Sequence, residues 1–169
     1  MTEALILVDE NDTEIGSAEK LAAHQNGGKL HRAFSVFIYN DAGQLLLQRR
    51  ACGKYHFGGL WTNSCCGHPL QGEVVAEAAR RRLKEELGLD VALRSAGTFI
   101  YRAEDPQSGL VEHEFDHMFV GESNRPLNVD PEEIADTRWV EPGEVREWLD
   151  REPEAFTPWF SIALENLQA

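Results

Sequence analysis

Cysteine, basic residues and long apolar runs are all in short supply in this chain of 169 residues. The three cysteines, Cys52, Cys65 and Cys66, are odd in number and two are adjacent. That is a poor framework for disulfides, so reduced thiols are expected. Each is by default a small buried hydrophobe. Lys and Arg number 16 against 29 Asp and Glu, a net charge of −13. The deficit is uneven: residues 1–84 hold 10 basic against 9 acidic side chains, and residues 85–169 hold 6 against 20. Nucleic acid is a poor partner for such a chain, because phosphate backbones need a basic face. A phosphorylated small molecule is compatible with basic residues focused in one pocket. No apolar run approaches the roughly 18 to 20 residues of a membrane span. The opening M-T-E-A-L-I-L-V-D-E lacks the basic lead and small-residue cleavage site of a signal peptide. The expectation is a cytoplasmic monomer that acts on a small molecule, without nucleic acid or membrane. Repeats, low-complexity tracts and long linkers are also missing, so a single domain over 1–169 is expected, long enough for a sizeable core.

What is present reads as strands with interspersed helices. Ala4 to Val8 and a short stretch near Ile15 read as strands, and Ser17 to His24 as a helix with Ser17 as its N-cap. The run Ala33–Tyr39 and the run Q-L-L-L-Q, across the turn N-D-A-G, read as a hairpin. A helix is expected from Glu73 to Leu87, with Val74, Val75, Ala78, Ala79, Leu83 and Leu87 as its apolar stripe. Gly88 fits the left-handed position just past its end. Strands follow at Thr98 to Arg102, Glu112 to Val120 and Arg138 to Val140. Helices follow at Pro142 to Asp150, with Val145, Trp148 and Leu149 inward, and at Ser161 to Leu167. This alternation predicts an α/β (α+β) fold, a mixed sheet with helices on its faces.

The chemistry concentrates between Trp61 and Leu89, in W-T-N-S-C-C-G-H-P, L-Q-G-E and the helix that follows. This stretch resembles the Nudix box, G-x5-E-x7-R-E-U-x-E-E-x-G-U with U aliphatic. Gly67, Glu73, Arg81, Leu83, Glu85, Glu86, Gly88 and Leu89 match in place. Arg82 stands where the box has Glu. The resemblance implies the Nudix fold and carboxylates gathered around divalent metals on a diphosphate, since hard cations prefer oxygen. A guanidinium in place of a carboxylate removes a ligand and adds a fork suited to phosphate oxygens. Lys20, Arg49, Arg50, Lys54 and Arg82 are the candidate cations, against the plain alternative of solvated surface charge. His24, His31, His68, Glu112 and Glu114 have metal-ligand character, although lone histidines are more often structural. Glu112 and Glu114 point to one side of a strand, and three imidazoles with two carboxylates favour Mn²⁺, Fe²⁺ or Zn²⁺ over Mg²⁺ alone.

From about Leu5 to Phe160 the chain resembles the type I isopentenyl-diphosphate Δ-isomerases, a branch of the Nudix superfamily. The matching pieces are E-K-L-A-A-H, L-H-R-A-F-S, Q-R-R, W-T-N-S-C-C-G-H-P, R-R-R-L-K-E-E-L-G, Y-R-A, V-E-H-E-F and F-T-P-W-F. The resemblance implies a reversible 1,3-allylic proton shift between isopentenyl and dimethylallyl diphosphate. Cys66 and Glu114 would be the acid/base pair, with Tyr101 beside Glu114 and Trp159 over the hydrocarbon. His24, His31, His68, Glu112 and Glu114 would hold a divalent metal, Mn²⁺ or Zn²⁺. Glu86 would help bind a Mg²⁺ carried by the diphosphate, whose oxygens would meet Lys20, Arg50, Lys54 and Arg82. Two features depart from the family. Gly58 replaces Pro in K-Y-H-F-G-G-L-W, from which a more flexible loop is expected, and the chain ends soon after Trp159. A Nudix hydrolase of a nucleoside or prenyl diphosphate is the alternative, disfavoured by Arg82 and by Cys66 with Glu114. A Nudix-like binding module without catalysis is a third.

Overall fold

The computed structural model describes residues 4–54 and 56–168; Tyr55 of the K-Y-H-F loop and residues 1–3 lie outside them. Among the described residues, nine strands join in one mixed sheet. β1 (Ala4–Val8) and β2 (Glu14–Glu19) pair antiparallel, and α1 (Lys20–His24) leads into β3 (His31–Tyr39). β4 (Leu45–Arg50), β5 (Trp61–Thr62) and β6 (Cys65–Gly67) precede α2 (Val75–Leu87). β7 (Arg94–Glu104), β8 (Val111–Glu122) and β9 (Ile134–Val140) follow, then α3 (Pro142–Arg151) and α4 (Pro158–Asn166).

β3 is the hub. Its aromatic and β-branched run suits a pleated surface buried on both sides. It pairs parallel with β8 from His31 opposite Glu114 to Tyr39 opposite Glu122, and antiparallel with β6. Alternate residues serve opposite faces. Phe34, Val36 and Ile38 pack with Leu83 and Leu87 of α2, whereas Phe37 packs with Met118, Trp159 and Phe160 on the face covered by α3 and α4. The expected mixed sheet between helices is therefore present. Truncating a fully buried residue such as Leu83 to Ala would cost about 2–5 kcal/mol.

Three local expectations change. Ser17 caps no helix: it pairs with Ile6 inside β2, and the helix begins at Lys20. Pairing along β1 outweighs a local capping preference there. β3 and β4 meet only at Tyr39 opposite Leu45. Beyond the turn β4 pairs with β9 and β5 instead, so the hairpin opens into two limbs. α2 starts at Val75, and Val74 is exposed. Glu73 instead accepts the Leu70 N–H at 2.9 Å and two bonds from Arg81, pinning the preceding turn to the helix.

Both box glycines have steric reasons. Gly88 has φ +68° and a Cβ there would sit 2.7 Å from Asn128 Cβ. At Gly67 a Cβ would lie 2.7 Å from Phe34 Cζ.

Candidate active site

The parallel register of β3 and β8 creates the deepest part of the site. It sets His31 opposite Glu114, and Glu112 lies two residues back on the same face. α1 delivers His24 from one side, and the segment after β6 delivers His68 from another. One donor atom from each of His24, His31, His68, Glu112 and Glu114 lies within 4.8 Å of the others; His24, His31, Glu112 and Glu114 are buried, and the His68 side chain is 10% exposed.

His24 Nδ1 lies 2.6 Å from the Lys20 carbonyl and His31 Nδ1 lies 2.8 Å from that of Lys29. A carbonyl only accepts, so each Nδ1 carries a hydrogen, and each Nε2 is the ring nitrogen turned to the centre, bare in the tautomer that binds a metal. There His24 Nε2 meets Glu112 Oε1 at 2.8 Å and His31 Nε2 meets Glu114 Oε2 at 3.2 Å. His68 Nε2 is 2.7 Å from the same Glu114 oxygen. Two acceptors at such range need a cation between them, either a proton or a metal. Burial opposes charge on His31, but Glu114 raises it above the ordinary 6.5. Burial and then the neighbouring His31 drive His68 well below that value. Burial also opposes ionisation of Glu112 and Glu114, yet their histidine partners hold both carboxyls down to about 2. Two ionised carboxylates and three imidazoles match a divalent ion in charge and favour a borderline transition metal.

Cys66 lies on β6 opposite Ser35 of β3. Its thiol donates to Asn63 Oδ1 at 3.2 Å, and Ser35 Oγ is 3.8 Å away. Burial, followed by the charge of Asp116, pushes the thiol up to about 12, so Cys66 keeps its proton. Tyr101, directly across from Glu114 in the β7–β8 ladder, donates its hydroxyl hydrogen to that carboxylate. The Trp159 ring is buried beside Tyr101, with centroids 5.9 Å apart, and the Arg50 guanidinium lies 5.6 Å from its centroid. The indole face already attracts a cation.

Several of these groups border one cavity of about 290 Å³. Cys66, His68, Glu112, Glu114 and Trp159 line it, together with Lys20, Arg50, Lys54, Arg82 and Glu86. His24, His31 and Tyr101 are buried behind that lining. Arg49 does not join them: it alternates with Arg50 along β4, is exposed, and donates to the Gly59 carbonyl at 2.9 Å. Arg82 spends its fork on carboxylates, with Glu85 and Glu86 each at 2.6 Å. The loop position at Gly58 is tight, since a Cβ would meet the Cys52 carbonyl oxygen at 2.9 Å.

Three further residues join the site. His56, on the loop before Trp61, is buried and donates from Nε2 to Glu112 Oε1; a histidine in a loop carries no spacing that points to it. Glu133 binds Lys54 at 2.5 Å and approaches Arg82 at 3.6 Å. Asp116 accepts from Ser35 at 2.8 Å, and the two-residue period that joins Glu112 to Glu114 also reaches it.

A curled mixed sheet with a glycine-bounded loop and a helix carrying a buried carboxylate, Glu86, defines the Nudix class, and a NUDIX domain matches residues 29–160. The crystal structure of DR0079 from Deinococcus radiodurans shares the fold, with a TM-score of 0.78 at 24% identity over 97% of this chain and 99% of that one. Two curated relatives carry the name isopentenyl-diphosphate Delta-isomerase. The one from Streptomyces avermitilis is 55% identical over 95% of this chain and 81% of its own length. The one from Aromatoleum aromaticum, designated isomerase 2, is 47% identical over 99% and 87%. The chain belongs to the NUDIX family and, within it, to the isopentenyl-diphosphate Delta-isomerases. No helix among the described residues is long and apolar enough to cross a membrane.

Proposed function

We propose that the protein interconverts isopentenyl and dimethylallyl diphosphate by moving one proton across a three-carbon unit. The observation that carries this reading is the placement of the Cys66 thiol and the Glu114 carboxylate on the border of one cavity, with Tyr101 donating to Glu114 and the Trp159 ring beside Tyr101. One proton is added at the terminal methylene and another leaves the carbon next to the diphosphate-bearing one, so the double bond shifts and atoms balance. Cys66 and Glu114 exchange these protons with the substrate, and each role reverses in the opposite direction. Tyr101 positions Glu114 through its hydroxyl. Trp159 offers an indole face to positive charge at the tertiary carbon while excluding water. Lys20, Arg50 and Lys54 bind diphosphate oxygens, and Arg82 joins them on releasing a carboxylate.

In this reading His24, His31, His68, Glu112 and Glu114 hold Mn²⁺ or Zn²⁺, and Glu86 helps hold a Mg²⁺ that arrives with the diphosphate. When bound, such ions fix the acidity of Glu114 and neutralise the substrate's charge. The acceptor-to-acceptor facing of His24 and His31 with the two carboxylates supports the first site. A cytoplasmic, reducing setting belongs to the same reading, because Cys66 must stay a thiol.

Cys66→Ala and Glu114→Gln test it. Each is expected to lower the isomerisation rate by about 10²–10⁴-fold, the range of a lost general acid or base. Retained full activity in either variant contradicts the mechanism.

A further inference from the structure

His56 lies outside the group of five converging donors, yet it shares an oxygen with one of them. Its Nε2 donates to Glu112 Oε1, the same atom that His24 Nε2 approaches at 2.8 Å, and the His24 and His56 ring centroids are 5.0 Å apart. The backbone that places His56 is held from several directions. Arg50 donates from Nη2 to the His56 carbonyl and from Nε to the Phe57 carbonyl, both at 3.2 Å. The Phe57 N–H donates to Asp105 Oδ2 at 3.2 Å, and its ring meets Trp159 edge-on at 5.3 Å. Phe57 itself has φ +52°, a left-handed conformation that a bulky residue keeps only when its surroundings over-determine it. Partners from three separate places in the chain therefore converge to seat one imidazole on one carboxylate.

From this geometry we infer that His56 is a positioning residue for the metal centre: it holds the Glu112 carboxylate in its ligand orientation and ties that carboxylate to the loop carrying Lys54. Outer partners that orient a ligating carboxylate typically contribute 10–100-fold to metal affinity. A plain packing role would need only the ring's shape, so two replacements separate the possibilities. Gln can put an amide N–H where Nε2 sits, whereas Phe keeps the bulk and loses the donor.

This inference rests on reading the His/Glu cluster as a metal site, and the test keeps the two apart. Zn²⁺ and Mn²⁺ are titrated into metal-free wild type, His56→Gln and His56→Phe against a competing chelator, without substrate. Wild type that takes up no metal overturns the site itself. If wild type binds, His56→Phe is expected to bind about 10–100-fold more weakly and His56→Gln within a few-fold of wild type. Equal binding by all three, or equal loss in both variants, overturns the positioning role. His56→Ala replaces His56→Phe in the comparison if the larger ring prevents folding.

Discussion

Arg82 occupies the box position where Nudix sequences carry Glu, and its removal separates charge from packing. Glu86 is 5% exposed, with Arg82 Nη2 at 2.6 Å and Gln48 Nε2 at 3.1 Å. Removing one partner of a buried pair costs about 3–5 kcal/mol. The Arg82 side chain is 23% exposed and Gln48 remains in place, so Arg82→Leu is expected to cost about 2–4 kcal/mol in metal-free protein at pH 7. The deficit depends on pH. Burial already lifts the Glu86 carboxyl above 4.5, with Arg82 opposing, and the variant lifts it further. Between 4.5 and that raised value the folded state binds a proton that the unfolded state lacks, so stability falls as pH rises through the window and recovers as pH falls. Urea denaturation in EDTA at pH 5 and pH 7 is expected to show a smaller deficit at pH 5, by at most about 1.4 kcal/mol per pH unit. An equal deficit at both values would refute the charge argument and leave only lost packing.

Gly88→Ala combines a left-handed backbone with a Cβ only 2.7 Å from Asn128 Cβ. It is expected to cost about 2–4 kcal/mol, lowering the thermal midpoint by roughly 5–15 °C, and calorimetry showing less than a 1 °C change would contradict it. Glu133→Gln removes the carboxylate that neutralises Lys54 in the position proposed for diphosphate oxygens. Inorganic pyrophosphate is expected to bind the metal-free variant about 5–20-fold more tightly, a gain of roughly 1–2 kcal/mol after solvent screening. Weaker binding by calorimetric titration would show that Glu133 supports the anion instead of competing with it.

Legibility in the sequence followed locality. The box, its glycines and its helix are contiguous, and their spacing carried over into α2 and the turn at Gly88. Glu112 and Glu114 share a face because a strand alternates, a local rule. The ladder that brings His31 to Glu114 spans 83 positions and has no local signature, so residue type could group the five as candidate ligands and the resemblance could imply a shared metal, but no local rule placed them together. Ser17 shows local preference overruled: a good capping residue became a strand residue because β1 offered backbone partners. His56 was illegible for the opposite reason. Its place depends on Arg50, Asp105 and a left-handed Phe57 acting together, and no single residue in that loop announces it.

The most direct test of the central claim is proton NMR of isopentenyl diphosphate in D₂O with the metal-free protein, followed by addition of Mg²⁺ and then Mn²⁺ or Zn²⁺. The account predicts unchanged substrate without metal, then deuterium entry and appearance of dimethylallyl diphosphate once both ions are present. Substrate that stays unlabelled with every ion, or release of inorganic phosphate in its place, would contradict it.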